Sequence, residues 1–236
     1  MKGHEIQTCE ALLIKKTPIG ESDILATLFT RESGKIKAIA KGATSSRKRF
    51  GGGFELFAVL KIEIGATRSG GKILQNSVVS SSFRRVAENM GVFLKANCLI
   101  DFIDAAFPEE QIPNETVFNE AVKALSAMNA GDGICAMFGF QTAVLESLGY
   151  SVDLSRCGEC GGQTFENGHL IFPSGVFLCG SCARKSEGKP ARKISRTVEA
   201  GRGAALRDVN CLNAFFQYQT GAVLKSAKVL ENMLSG

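Results

Sequence analysis

Four of the eight cysteines in this 236-residue chain fall into two pairs, Cys157-x2-Cys160 and Cys179-x2-Cys182, with 18 residues between the pairs. Two residues between thiolates let a tight turn aim both sulfurs at one ion through bonds of ~2.3 Å, and a second such pair completes a tetrahedron. The turns hold the small residues they need: Gly158, Gly161 and Gly162 at the first pair, Gly180 and Ser181 at the second. The spacing predicts one structural Zn2+ held by Cys157, Cys160, Cys179 and Cys182, because four thiolates leave no open position for water. Disulfides are the competing use of paired cysteines. However, in Met1–Pro18 the short apolar stretch Ala11–Ile14 is followed by Lys15 and Lys16, the wrong order for a secretory signal. A cytoplasmic chain is therefore expected, and there thiols stay reduced. A redox Cys-x2-Cys pair would need a thioredoxin-like strand–helix setting that is missing here. His169, between the pairs, could replace one cysteine but is not the expected ligand, and Cys9, Cys98, Cys135 and Cys211 stand singly on apolar segments as expected buried thiols.

Catalytic chemistry is sparse elsewhere. The two histidines, His4 and His169, lie outside any nucleophile setting, so neither a Ser–His–Asp nor a Cys–His site is expected. Gly65–Lys72 approaches a phosphate-binding loop, but its register puts Ala66 where the first Gly belongs and Ile73 where the Ser or Thr belongs. It reads as a Gly-rich hairpin loop. Asp101 and Asp104 share a helix face with no second acidic pair beside them, and read as a solvated or helix-facing stripe. No catalytic residue is expected.

Binding is better supported. Residues 1–85 hold 15 Lys or Arg against 7 Asp or Glu, residues 86–150 hold 2 against 9, and residues 151–236 hold 11 against 7. A basic first part fits a polyanion, and an acidic middle repels one. The stretch from Lys41 to Gly53 concentrates Lys41, Arg47, Lys48 and Arg49 beside Ser45, Ser46, Phe50 and four glycines. Cations on such a loop follow a phosphate backbone, while Phe50 either stacks on an unpaired base or turns into the core.

The elements that must carry these residues change character along the chain. Glu10–Thr17, Ile24–Arg31, Lys35–Gly42, Phe54–Gly65 and Ile73–Ser82 are strand-like runs separated by Gly, Ser and charge, and predict a small closed barrel. In the third, Ile36, Ala38 and Ala40 face a barrel interior, while Lys35, Lys37 and Lys41 face water or ligand. Glu32-Ser33-Gly34 reads as the preceding hairpin turn. After Val86 the period becomes helical: Ala87–Phe107, a second helix capped by Asn114, a third opened by Asp132 and closed by Gly149, and finally Asn210–Leu234. Ser186–Arg196 reads as a polar stretch. Hydrophobic residues at 44% exclude a disordered chain, and no apolar run approaches the ~18 residues of a membrane span.

The run Gly20–Lys35, with Ala40-Lys41-Gly42 and the Arg47–Phe50 cluster, closely resembles the RecO family of recombination mediator proteins, and Leu224–Leu230 is similar to that family's closing helix. The resemblance covers essentially the whole chain. It implies an α+β multidomain protein: a five-stranded OB-fold DNA-binding barrel over 1–82, then an α-helical domain over 83–236 with a zinc module at 155–186. It implies a non-enzymatic mediator that binds single- and double-stranded DNA and anneals complementary strands. With RecR, such a protein helps load RecA onto single strands coated by the single-stranded-DNA-binding protein SSB, whose acidic C-terminal tail it contacts. DNA contacts are expected from Lys35, Lys37, Lys41, Arg47, Lys48, Arg49 and Phe50, and a cytoplasmic, nucleoid-associated location follows. The alternatives are an RNA-binding zinc-ribbon protein and, less in keeping with the absent His and carboxylate ligands, a zinc-dependent nuclease.

Overall fold

The computed structural model describes residues 6–50, 54–67, 70–109, 113–131, 133–163, 167–186, 188–195 and 202–234. His4, Gly51–Gly53, Asp132 and Arg196, which figure in the sequence reading, lie outside them.

Five strands close into a barrel: β1 (Gln7–Ile19), β2 (Asp23–Thr30), β3 (Gly34–Ala40), β4 (Ala58–Ala66) and β5 (Lys72–Ser82), in the order β1-β2-β3-β5-β4. β1 closes the circle by pairing with β4 as well as β2, and a register shift between Leu13 and Lys15 bends it enough to do so. β3 meets β5 in parallel; the other pairings are antiparallel. This is the order of an OB barrel, as the sequence predicts. Gly34 takes φ +64° at the expected turn, where the Thr30 hydroxyl donates to the Gly34 carbonyl at 2.9 Å and accepts from the Ser33 N–H at 3.0 Å.

Strands β1, β2 and β4 are apolar on both faces, and the reason is packing on both sides. Ala11, Leu13, Ala26, Leu28, Leu60 and Ile62 fill the barrel, whereas Leu12, Ile14, Phe29, Phe57 and Val59 join the core of the helical part. Phe29 sits 5.3 Å from the Phe107 ring and 6.3 Å from that of Phe118, and Phe57 meets Phe93 edge-on at 5.4 Å.

The helices are α1 (Arg47–Phe50), α2 (Arg84–Glu88), α3 (Met90–Ala106), α4 (Glu115–Ala130), α5 (Ile134–Ser147), α6 (Gly180–Arg184), α7 (Arg202–Thr220) and α8 (Lys225–Leu234). Asn114 caps α4 as expected, its side-chain oxygen accepting from the Val117 N–H, and Gly149 follows α5 with φ +83°. Three expectations are corrected. The single helix over Ala87–Phe107 is two, because extended Asn89 interrupts it and caps α3 by accepting from the Val92 N–H at 3.1 Å. The final helical region starts earlier, at Arg202, and breaks after Thr220. The polar stretch Ser186–Arg196 contains a strand, β8 (Ala191–Ser195), which pairs with β6 (Asn167–Ile171); β6 in turn pairs with β7 (Val176–Cys179) in a small sheet of order β7-β6-β8. Among the described residues, no helix is long and apolar enough to cross a membrane.

Candidate metal centre and nucleic-acid interface

The small sheet carries the cysteine quartet. Cys157 and Cys160 lie in the chain between α5 and β6, Cys179 ends β7, and Cys182 lies in α6. The first pair is turned by backbone bonds from the Gly161 N–H to the Cys157 carbonyl at 2.8 Å and from the Cys157 N–H to the Gly162 carbonyl at 2.9 Å. Gly161 has φ +69°, a conformation that favours glycine. Gly158 donates to the Phe177 carbonyl at 2.9 Å, and a Cβ there would stand 2.4 Å from Val176 Cγ1, so only glycine lets this turn lie so close to β7. The two cysteine pairs meet through this contact.

All four sulfurs lie within 4.8 Å of one another, with 3.9 Å between those of Cys160 and Cys179. Four sulfurs on one tetrahedral ion, each ~2.3 Å from it, are ~3.8 Å apart, so the quartet lies close to the spacing of a bound metal. None of the eight cysteines is in a disulfide. Their surroundings favour thiolate at some positions. The Ser181 hydroxyl, 3.1 Å away, and then the Cys182 N–H hold the Cys179 thiol down at about 6. Burial opposes ionisation at Cys157, but N–H groups of Cys160 and Cys179 outweigh it and lower its pKa. Cys182 is raised to about 12, first because its thiol proton is held in a hydrogen bond with Cys179 and then by burial. His169, on β6, is outside the quartet. Burial and then the cationic Lys193 lower its pKa.

The isolated thiols divide. Burial raises Cys9 and Cys211 to about 12 and Cys98 to about 11, in keeping with inert core residues. Cys135 departs from expectation and is exposed on α5.

The cations of the barrel also divide. Lys37 and Lys41 on the β3 side, and Arg47, Lys48 and Arg49 on α1, are exposed. The loop between β3 and β4 is therefore one helical turn at its basic centre, tied back by hydrogen bonds. The Gly42 N–H donates to Asp23 at 2.8 Å, and the Arg49 guanidinium donates to the Lys41 carbonyl at 2.8 Å and to the Ser46 hydroxyl at 3.1 Å. Lys37 pairs with Glu109.

Lys35 and Phe50 are placed otherwise. The Lys35 side chain is 8% exposed, and its ammonium donates to the Asp104 carboxylate at 2.9 Å and carbonyl at 2.7 Å. It fastens the barrel to the end of α3 and has no free face for a phosphate. Phe50 is 5% exposed, packed in the barrel core 5.3 Å from Phe54 with the Arg49 guanidinium 5.0 Å from its ring centre. Of the two roles open to Phe50 in the sequence, the structure has the core one. Of the Asp101 and Asp104 stripe, Asp101 faces a helix, accepting from the backbone N–H of Ser226 at 3.0 Å and from its hydroxyl and so capping α8, while the half-exposed Asp104 holds Lys35 of β3.

Sequence reasoning missed Arg31. Its guanidinium pairs with Glu10 at 3.0 Å, reaches Glu115 of α4 at 3.8 Å and lies 5.1 Å from the Phe118 ring centre, a second tie between barrel and helices. Nothing local marks Arg31, since its partner Glu115 lies far along the chain.

Comparison with known proteins agrees with this architecture. Residues 1–82 match the family described as "Recombination protein O N terminal", and residues 93–195 match "Recombination protein O C terminal". Curated relatives named DNA repair protein RecO cover most of the chain. The Anaeromyxobacter dehalogenans (strain 2CP-C) protein is 29% identical, covering 94% of each chain. The Myxococcus xanthus protein is 28% identical, over 92% of this chain and 93% of its own. The Geobacter sulfurreducens protein is 27% identical, over 84% and 83%.

Proposed function

We propose a function that proceeds from one premise: this chain belongs to the recombination protein O (RecO) family of DNA repair proteins. That family consists of recombination mediators and not of enzymes. The chain is read as a mediator that binds single- and double-stranded DNA and anneals complementary strands. With RecR, it helps RecA load onto SSB-coated single strands, engaging the SSB C-terminal tail. It acts in the cytoplasm, associated with the nucleoid. Residues 1–82 serve as the DNA-binding barrel and residues 83–236 as the helical domain that braces it, with the metal module at 155–186.

The observation that carries this reading is the exposed set Lys37, Lys41, Arg47, Lys48 and Arg49 around one loop of an OB-order barrel. Annealing needs no bond chemistry. The protein must screen the repulsion between two phosphate backbones while leaving base edges free, and flexible cations that touch only phosphates do that. Lys35 and Phe50 support the barrel rather than the DNA contact. The metal is read as one Zn2+ on Cys157, Cys160, Cys179 and Cys182. This donor set suits a borderline-soft divalent ion, and a closed tetrahedron makes its role structural.

The test is annealing of complementary strands coated with SSB, run beside a nuclease control on the same DNA. Faster annealing with intact strands is expected. Strand cleavage, or no acceleration over SSB alone, would overturn the reading.

A further inference from the structure

The ribbon that holds the cysteines has a charged surface of its own, which the barrel reading leaves unused. A hollow of about 230 Å³ opens beside the cysteine module, bounded by His169, Ala183, Arg184, Ser186, Lys189 and Ala191. Lys193 sits directly across the sheet from His169 in the β6–β8 register. Arg184, Lys185, Lys189 and Lys193 are all exposed, and among the described residues no carboxylate pairs with any of them. Arg192, on the same strand, is by contrast neutralised by Glu231 of α8 at 2.6 Å. Arg184 and Lys189 line the hollow, Lys193 stands across the sheet from His169 and Lys185 follows Arg184. Cations without a carboxylate partner among the described residues are arranged for a chain of phosphates rather than for a single carboxylate.

The position of this surface says which strand it serves. Ribbon and barrel rest on different helices: β8 packs on α7, while β1 packs on α3. The chain between them, residues 86–150, holds 2 Lys or Arg against 9 Asp or Glu. Glu88, Glu115 and Glu146 are exposed there, so a strand bound at the barrel loop gains nothing by continuing across these helices. Two cationic surfaces parted by an acidic one hold two strands better than they hold one long strand.

We propose that Arg184, Lys185, Lys189 and Lys193 form a second, separate contact for single-stranded DNA, so that one chain holds two strands at once, one at the barrel loop and one at the ribbon. This rests on the DNA-binding reading above and deepens it: simultaneous holding brings complementary strands together within a single molecule. The ribbon contact is sequence-independent, because it touches phosphates alone. It also depends on the ribbon keeping its shape, which makes the metal centre a support for DNA binding without being part of it.

The experiment uses the full metal-loaded chain and a single-stranded oligonucleotide of about eight nucleotides, near the site size of one OB barrel. The natural protein should bind two oligonucleotides per chain. The triple variant Arg184→Ala, Lys189→Ala, Lys193→Ala should bind one, and the phase it loses, a contact of four cations, should have a salt slope of about −3, at about −0.7 per phosphate. Its annealing rate should fall about tenfold, while its metal content and its affinity for the remaining oligonucleotide stay unchanged. The charge-preserving swap Arg184→Lys, Lys189→Arg, Lys193→Arg should behave as the natural protein. An alanine variant that still binds two and anneals normally would overturn the second contact alone. So would an alanine variant that loses only an acidic peptide, since the surface would then belong to a protein partner. A natural protein that binds no oligonucleotide at all would overturn the DNA-binding reading and this contact together.

Discussion

Cations that work through phosphates need exposure and number more than fixed geometry, and this divides the basic residues of the barrel. Arg47, Lys48 and Arg49 are exposed on one helical turn, Arg49 with its guanidinium tied back to Lys41 and Ser46. Replacing all three by Ala should weaken binding to every DNA sequence alike. It should also flatten the dependence of log affinity on log salt by roughly 2 units for single strands, read from titrations at several salt concentrations. The same variant should keep its affinity for an SSB-tail peptide, because an acidic tail with an apolar end needs a cation beside a hydrophobic pocket, whereas Phe50, the apolar residue of the α1 turn, is buried in the barrel core. Parallel loss of peptide and DNA would show one surface serving both. Lys35 should behave in the opposite way. Lys35→Ala leaves the Asp104 groups at the barrel–helix junction without their donor, so stability should drop by about 1–3 kcal/mol in denaturant titration. DNA affinity measured well below the unfolding midpoint should hardly move.

At the scale of elements, the ribbon has little core of its own to set its shape, and its four cysteines are placed to hold a metal that would. Its own apolar cluster is small, built around Ile171, Leu178 and the cysteines themselves. Cys157→Ser should release the metal and expose amides of residues 155–186 to hydrogen exchange, while barrel amides keep their protection. Metal analysis beside exchange measurements checks both halves. Below the ribbon, Asp208 of α7 is fully buried and accepts from the Ser195 N–H at 2.8 Å, with its second oxygen unpartnered. Burial raises its pKa above the ordinary 3.8, against the opposing bond from Ser195. A raised folded-state value means that the native state binds the proton more tightly. This contribution to stability is therefore fully present below pH 3.8 and is lost as pH rises through the folded value. Asp208→Asn keeps an oxygen for Ser195 and removes the buried charge. It should remove this loss, so that relative to the natural protein the variant gains stability as pH rises above 3.8 and is no less stable at pH 7, as thermal melts across pH would record.

For the whole molecule, barrel and helices share one apolar boundary. Phe29 and Leu12 are wholly buried only because α3 and α4 cover them, and Arg31 and Lys35 fasten the same seam. A fragment of residues 1–82 would expose Leu12, Ile14, Phe29, Phe57 and Val59 to water, on a domain already small enough to be marginal. It should aggregate or lack a cooperative melt. In the full chain, Phe29→Ala should cost about 3–5 kcal/mol, measured by denaturant unfolding.

How much of this was legible beforehand follows from the range of each signal. The cysteine spacing, the five strand-like runs with their Gly34 turn, and the Asn114 and Gly149 helix ends are local: turn geometry, side-chain alternation and capping act within a few residues, and the sequence by itself determined them. The α1 turn and strand β8 were obscured because their sequences are polar and short, and each is held by neighbours rather than by its own propensity: the Asp23 carboxylate beneath the basic loop, and β6 beside β8. The fates of Lys35 and Phe50 were decided by the tertiary structure alone. Alternation along β3 assigns Lys35 to the solvent face, and it does emerge on the outside of the barrel, but there α3 brings Asp104 over it from 69 residues away. Phe50 is drawn into the barrel because burying an aromatic ring beside Phe54 is worth more than leaving it beside four cations in water. Local chemistry specified which residues could bind; what arrived from elsewhere in the chain decided which of them were left free to do so.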